Sequence, residues 1–220
     1  MSLLTIDGRF NGPPTSGNGG VTCGLLAAFV DATAVQVTLR LPPPLDTSLQ
    51  VTQTSDSATL YDGDALVAEA VPGRLSVTPL VAVSLADATA AAGRFVGYQG
   101  HPFPTCFVCG TARSDGLGLY AGPVSDGHVA CAWTPSDHTV PMVWAALDCP
   151  GGWSADLPGR QMVLGRMTAR IDALPVVGEP HVVQGWLLGG EGRKVQTASA
   201  LHTADGTLLA LAQATWITMA

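Results

Sequence analysis

Positive charge is scarce in this 220-residue chain. It has one lysine, Lys194, and nine arginines against 17 acidic residues, which gives a formal net charge of −7, and no basic residues gather into a run. Proteins that bind nucleic-acid phosphates or anionic lipid surfaces depend on such runs. The composition therefore predicts neither a nucleic-acid partner nor a membrane-surface partner.

Long hydrophobic runs are also missing. Apolar stretches such as Gly24–Val30 and Thr207–Ala212 are far shorter than the roughly 18 residues that a spanning helix needs. Residues Met1–Asp7 place no basic residue ahead of an apolar stretch, which predicts no secretory signal. The five cysteines are odd in number and scattered, unlike a secreted disulfide framework. We expect a cytoplasmic protein with reduced thiols.

Charged residues make up only 12% of the chain, whereas hydrophobic residues make up 47%. This balance excludes intrinsic disorder, which needs low hydrophobicity and high charge. The length allows one large domain or two domains of about 110 residues each.

The two halves of the chain repeat one order of elements. Apolar residues recur at helical spacing from Gly19 to about Asp31 and again from Met142, with Pro150 as a point where the second helix kinks or stops. About four alternating strands follow each helix, and an Asp-Gly turn precedes the last. A buried helix wrapped by an antiparallel sheet, used twice, predicts an α+β fold. Ser84–Ala92 is a predicted short helix, and the predicted strands are Leu3–Phe10, Ala34–Leu41, Leu49–Thr54, Ala58–Tyr61, Ala65–Val71, Leu117–Gly122, His128–Trp133, Met162–Ile171, His181–Leu188, Val195–His202 and Leu208–Thr218.

Three short motifs resemble a known family. Cys106–Gly110 (CFVCG) followed by Asp115–Leu119 (DGLGL) resembles the CFxCG…GLGL opening of many hotdog-fold acyl-CoA thioesterase-like proteins. Asn18–Val21 resembles the glycine pair that opens the hotdog helix, and Trp144–Asp148 resembles the helix segment that carries the acid of that family. The resemblance implies a tandem (double) hotdog, each unit a central helix wrapped by an antiparallel β-sheet. The expected parts are a truncated N-terminal hotdog over 1–83, a connector over 84–115 and a C-terminal hotdog over 116–220.

Two parts of one candidate site stand far apart in the sequence. Gly19 and Gly20 open the first helix, where free N–H groups at the positive end of the helix dipole can bind a thioester carbonyl and its oxyanion. The alternative is a plain turn with Asn18 as N-cap. Asp148 follows an apolar helix segment, where burial suits a general base or nucleophile; the alternative is an exposed Asp or a cap on the turn at Pro150. The resemblance implies that Asp148 works with Gly19 or Gly20 of the other copy.

Each copy keeps only half of this machinery. Ala27 and Ala28 stand where the first helix would carry an acid, and the second helix opens at His138–Pro141 (HTVP) without a glycine pair. The chain therefore forms one composite site at most, and loss of all activity is an equally coherent interpretation.

The predicted function is hydrolysis of an acyl-CoA or related thioester without a cofactor, by a chain that forms a possible homodimer. The alternative is a non-catalytic hotdog protein that binds acyl-CoA or another hydrophobic ligand. A hydratase that uses His138 with Asp148 ranks lower. The acyl chain is expected between the two helices, with Asn18, Val21, Leu25, Val143 and Leu147 as its contacts.

Cys106 and Cys109 form a lone Cys-x-x-Cys. A structural zinc needs four ligands, and although His101, Cys131 and Cys149 are available, no second cysteine pair or histidine pair completes the set. We therefore expect no stoichiometric zinc. A redox pair would need a helix-start context that the sequence lacks. The remaining interpretation is that the two cysteines are buried small residues that tether the connector to the second domain.

Overall fold

The computed structural model describes residues 2–157 and 159–219. Within these residues, eleven strands form one continuous sheet, and all of its pairings are antiparallel. Five neighbouring strands of the sheet come from the N-terminal half of the chain, and the other six come from the C-terminal half.

The N-terminal half supplies one long buried helix and five strands. Asn18 caps the helix, because its side-chain oxygen accepts from the Val21 amide at 3.0 Å. The elements are β1 (Ser2–Thr5), a 3-10 turn (Gly8–Phe10), α1 (Gly19–Ala27), β2 (Ala34–Leu39), β3 (Ser48–Gln53), β4 (Ala58–Asp62) and β5 (Ala65–Pro72).

The C-terminal half repeats this order with longer elements. A segment between the halves contributes a short helix that packs on β6, β7 and β9. The elements are α2 (Leu85–Ala92), a 3-10 turn (Val96–Tyr98), β6 (Gly122–Ser125), β7 (His128–Trp133), α3 (Val140–Trp153), β8 (Met162–Ile171), β9 (His181–Glu191), β10 (Lys194–Thr203) and β11 (Leu208–Thr218).

The repeat is visible in the sheet order. Reading outward from the seam between β2 and β8, the N-terminal strands β2, β5, β4, β3 and β1 mirror the C-terminal strands β8, β11, β10, β9 and β7. At the seam Val37 pairs directly with Met167. These two residues also occupy matching positions in the short sequence repeat VTLR and MTAR. The chain therefore has a pseudo-twofold axis between β2 and β8.

The two long helices pack against each other on the sheet. All residues from Met142 to Trp153 in α3 are buried, as expected for a helix that is apolar on every side. Gly24 of α1 makes this packing possible, because a Cβ there would lie 2.6 Å from the Pro141 Cα. The two halves thus share one core around a helix pair.

Several element boundaries differ from the sequence predictions. The first strand ends at Thr5 and not at Phe10, because the chain turns at Gly8–Phe10. The helix predicted to about Asp31 ends at Ala27. Leu117–Ala121 is a loop, whose Leu117 and Leu119 amides bond to the carbonyls of 107 and 108, so the predicted strand begins only at Gly122. Pro150 lies inside an uninterrupted α3, because burial on all sides outweighs the single helix hydrogen bond that proline removes.

Within the described residues, no helix is both long enough and apolar enough to cross a membrane.

Candidate active site

The Asp148 carboxylate lies at the N-terminus of α1. The Gly20 amide donates to its Oδ2 atom at 2.9 Å, and the Asn18 side-chain amide donates to the same oxygen at 3.1 Å. Asp148 is only 2% exposed, although it borders a cavity. The structure therefore brings together residues that the sequence predicted to meet, and it does so at the positive end of a helix dipole, where an anion is stabilised.

Gly20 permits this contact because it has no side chain. A Cβ at this position would lie 2.6 Å from the Asp148 Cβ and 2.7 Å from the Trp144 carbonyl oxygen. Both distances are shorter than real Cβ contacts. The second involves a backbone atom, which cannot move away as a flexible side chain can. The glycine thus sets how closely α1 and α3 approach, and through that approach it sets the position of the carboxylate.

Asn18 joins the helix cap to the acid. Its oxygen caps α1 through the Val21 amide, while its nitrogen donates to Asp148 and lies 3.9 Å from the Cys106 sulfur. Asn18 was expected both as N-cap and as substrate contact. The structure shows the cap, and it adds a bond to Asp148 that no sequence pattern indicates.

The two glycines differ in their backbone amides. The Gly20 amide is already occupied by Asp148, whereas the Gly19 amide has no hydrogen-bond partner among the described residues. Gly19 also borders the cavity, and Gly20 does not. The expectation that either amide could bind a substrate carbonyl is therefore corrected: in this geometry only the Gly19 amide is free to do so.

Burial raises the pKa of Asp148 to about 7, and the negative charge of Cys106 adds to this effect. The hydrogen bonds from Gly20 and Asn18 act in the opposite direction and lower it. The second carboxylate oxygen, Oδ1, is buried and has no hydrogen-bond partner among the described residues. A carboxylate with one oxygen held by hydrogen bonds and one oxygen without a partner is suited to take a proton from water or to attack a carbonyl carbon.

A cavity of about 420 Å³ opens beside these groups. Most of its lining is apolar and comes from the loops after β1 and β2, the loop at 101–109, and strands β8 and β11. Asn18, Gly19 and Asp148 belong to the polar part of the wall, together with Thr15, Ser16, Arg40 and His101. The apolar lining residues include Leu41, Phe103, Leu157, Met162, Leu164 and Ile217.

The predicted acyl contacts lie elsewhere. Val21, Val143 and Leu147 are buried in the helix pair and Leu25 is half-buried, and none of the four borders the cavity. Because α1 and α3 are in direct contact, no room for a chain remains between them. This corrects the expectation that a ligand lies between the helices: the available space lies to one side, against β8 and β11.

The histidine nearest the cavity was not the expected one. His138 is exposed in the loop before α3 and is not part of the cavity wall, so the structure does not bring it to Asp148. His101 borders the cavity instead. Its Nδ1 accepts from the Phe103 amide, its Nε2 bonds to the Cys109 carbonyl, both at 3.0 Å, and burial lowers its pKa. No motif in its Gly-rich and Pro-rich loop could have singled it out.

Three cysteine sulfurs converge on the same wall. The Sγ atoms of Cys106, Cys109 and Cys149 all lie within 4.8 Å of one another. Hydrogen bonds from the thiols of Cys109 and Cys149 lower the pKa of the Cys106 thiol well below its usual value. From the sequence, Cys149 was one of three possible partners of the Cys-x-x-Cys pair, with His101 and Cys131, and the structure brings its sulfur from α3 to the pair.

Comparison with protein-family models gave no match, and neither did comparison with curated proteins. Solved structures do match over 99% of this chain. A protein of Novosphingobium aromaticivorans, provisionally assigned as a thioesterase, aligns over 95% of its length with a TM-score of 0.66 at 12% identity. The tesB protein of Mycobacterium avium subsp. paratuberculosis aligns over 92% with a TM-score of 0.64 at 11% identity. An acyl-CoA thioesterase II of Mycobacterium marinum aligns over 92% with a TM-score of 0.61 at 10% identity.

A protein of unknown function from Alicyclobacillus acidocaldarius, described as having a hot dog fold, also aligns with 99% of this chain, with a TM-score of 0.61 at 14% identity. Together with the mirrored sheet order and the paired helices, these likenesses confirm the predicted α+β double hotdog fold. At such low identities the likeness establishes the fold alone.

Proposed function

We propose that this chain hydrolyses an acyl thioester, with Asp148 as the catalytic base. The observation that carries the proposal is the arrangement of Asp148: Gly20 and Asn18 hold one oxygen, and the other oxygen has no partner among the described residues, beside a cavity. Burying a carboxylate costs free energy, and carboxylates with a raised pKa occur often at functional sites. Action of the Oδ1 atom on a ligand accounts for this cost.

The reaction uses two polar groups that have no hydrogen-bond partner among the described residues, the Asp148 Oδ1 atom and the Gly19 amide. Asp148 Oδ1 takes a proton from a water molecule, whose oxygen attacks the thioester carbonyl carbon. The carbonyl oxygen gains the negative charge, and the Gly19 amide donates to it at the helix N-terminus. When the carbon–sulfur bond breaks, the leaving thiolate takes the proton that Asp148 holds and becomes a thiol, and a carboxylic acid remains. Direct attack by Asp148, with an acyl-Asp intermediate, uses the same geometry.

The wall of the cavity supports an acyl substrate. Apolar side chains dominate the lining, and an acyl chain placed there transfers its CH₂ groups from water at about 0.8 kcal/mol each. A structural neighbour named as an acyl-CoA thioesterase II agrees with this choice. Only the pair formed by α1 and Asp148 has both halves of the machinery, so the proposal assigns one site per chain.

A panel of acyl-CoA thioesters tests the proposal. Loss of thioester absorbance is the better readout, because thiol reagents would also report the five cysteines. We expect turnover of at least one thioester and none of the matched amide, which is a far poorer electrophile. Saturable binding without turnover across the whole panel would overturn the enzyme proposal and favour the non-catalytic ligand binder.

A further inference from the structure

A cluster of three cysteines lies beside Asp148 and has no part in the proposed hydrolysis. Cys106 and Cys109 come from the loop between the two halves, and Cys149 comes from α3. The sulfurs of Cys106 and Cys149 are 3.8 Å apart, and all three sulfurs lie within 4.8 Å of one another. All three residues are buried as free thiols, and all three border the cavity.

A tight turn holds Cys106 and Cys109 close together. The Gly110 amide closes the turn by donating to the Cys106 carbonyl at 2.8 Å, and a Cβ at Gly110 would lie 2.5 Å from that oxygen. The Cys-Phe-Val-Cys-Gly segment therefore fixes the positions of two of the three sulfurs.

One side-chain N–H donor lies beside the cluster. The Asn18 side-chain amide is 3.9 Å from the Cys106 sulfur. Among the described cavity-lining residues, the only arginine or lysine is Arg40, which pairs with Glu69. No lysine or arginine of the described cavity wall therefore competes with a cation for the three sulfurs.

We propose that Cys106, Cys109 and Cys149 bind one Zn²⁺ ion through their thiolates, with a fourth position open to the cavity. Zinc–thiolate bonds of about 2.3 Å in a tetrahedral site place sulfurs about 3.8 Å apart. The Cys106–Cys149 distance already has this value, and the remaining pairs need to close by less than 1 Å.

Charge favours a divalent ion over a monovalent one. Three buried thiolates carry three negative charges, and Zn²⁺ leaves one, whereas Cu⁺ would leave two. Binding places two positive charges in the cluster and releases the protons of those cysteines that were thiols. The Asn18 side-chain amide, 3.9 Å from the Cys106 sulfur, remains to stabilise the residual charge.

The fourth ligand is not His101. Both of its ring nitrogens are engaged, Nδ1 by the Phe103 amide and Nε2 by the Cys109 carbonyl. Because all three cysteines border the cavity, water or a ligand atom in the cavity supplies the fourth position. Three protein ligands with one open position is the pattern of zinc sites that act on a bound molecule. This inference replaces the expectation of no zinc, which rested on the absence of a second cysteine pair or histidine pair.

Zinc uptake by the reduced, metal-free full chain tests the inference. We expect about one zinc per chain by elemental analysis after gel filtration, three sulfur ligands at about 2.3 Å by X-ray absorption, and a sulfur-to-metal charge-transfer band when Co²⁺ replaces zinc. Cys149→Ala should weaken zinc binding by more than about 100-fold, beyond the effect of changing an outer-shell group. Cys131→Ala removes a buried free cysteine outside the cluster and should leave the affinity unchanged.

Three results would overturn the inference. The first is no zinc uptake by the reduced chain at micromolar zinc. A chain that forms a Cys106–Cys149 disulfide with an oxidant but takes up no zinc gives the same result. The second is zinc that remains bound in a folded Cys149→Ala variant. The third is a zinc site with fewer than three sulfur ligands by X-ray absorption of the unaltered chain. This measurement decides if the Cys149→Ala variant does not fold.

Discussion

The backbone amide of Gly20 donates a 2.9 Å hydrogen bond to the Asp148 carboxylate, across 128 positions of the sequence. This bond joins the N-terminus of one repeat's helix to the middle of the other's. It exists because glycine lets the helices touch, and it leaves the neighbouring Gly19 amide and the buried second carboxylate oxygen without a hydrogen-bond partner among the described residues.

Adding a methyl group at the helix contact should disrupt the site. In Gly20→Ala the new Cβ meets the backbone of α3, so α1 and α3 must separate. We expect a loss of about 2–3 kcal/mol in the free energy of unfolding, measured by denaturant titration, and loss of most thioesterase activity. Gly93→Ala is the control, because its nearest neighbour is the Ala90 oxygen at 3.5 Å and its φ is −65°. Equal stability in both variants would contradict this account of Gly20.

The two bonds of Asn18 can be separated by two substitutions. Asn18→Ala removes both the helix cap and the bond to Asp148, whereas serine retains a cap oxygen but lacks the amide that donates to the acid. We expect both variants to lose at least about tenfold in kcat. Only Asn18→Ala should also lose about 1 kcal/mol of stability. A serine variant with unaltered kcat would show that the bond to Asp148 does not position it for turnover.

The raised pKa of Asp148 makes stability depend on pH. From its ordinary value of 3.8 the pKa rises to about 7 in the folded chain, so between about pH 4 and 7 the unfolded chain releases a proton that the folded chain keeps. Stability must then fall as pH rises through this range, by up to about 1.4 kcal/mol per pH unit. Denaturant titrations of the metal-free chain with a chelator measure this slope. Asp148→Asn should lack this contribution, and an equal slope in both proteins would contradict it.

The position of the acyl chain can be tested with one residue from the cavity and one from the helix pair. Ile217 is half-buried on the cavity wall, and Ile217→Trp should shift the preference in kcat/KM toward shorter acyl chains. Val143 is fully buried away from the cavity, and Val143→Ala should cost roughly 1–3 kcal/mol of stability without changing the order of preference. If Val143→Ala changed the order of preference and Ile217→Trp did not, the acyl chain would lie between the helices, contrary to this account.

The sequence predicted those features that depend on local pattern. Helical spacing and β-branched alternation located both long helices and most strands. Val37 and Met167, which hold matching positions in the short sequence repeat, are paired in the sheet. It did not predict the loop at Leu117–Ala121, because that segment is fixed by bonds to Phe107 and Val108 and not by a neighbouring strand.

The candidate site was predictable only in part. Asp148 and the glycine pair could be proposed because their types and positions resemble a family pattern. Which glycine amide stays free depends on how α1 meets α3, and that is a property of packing. Cys149 and His101 reach the cavity from separate elements, so no spacing in the sequence could have joined them to Cys106.

The most direct test of the account is the steady-state rate of Asp148→Asn on the best thioester of the panel. Asparagine preserves the shape of the side chain and can still accept from the Gly20 amide, so we expect an unchanged fold and ligand affinity within a few-fold. The account predicts a loss of at least about 100-fold in kcat, as for removal of a general base. A folded Asp148→Asn variant that hydrolyses the thioester at the unaltered rate would contradict it.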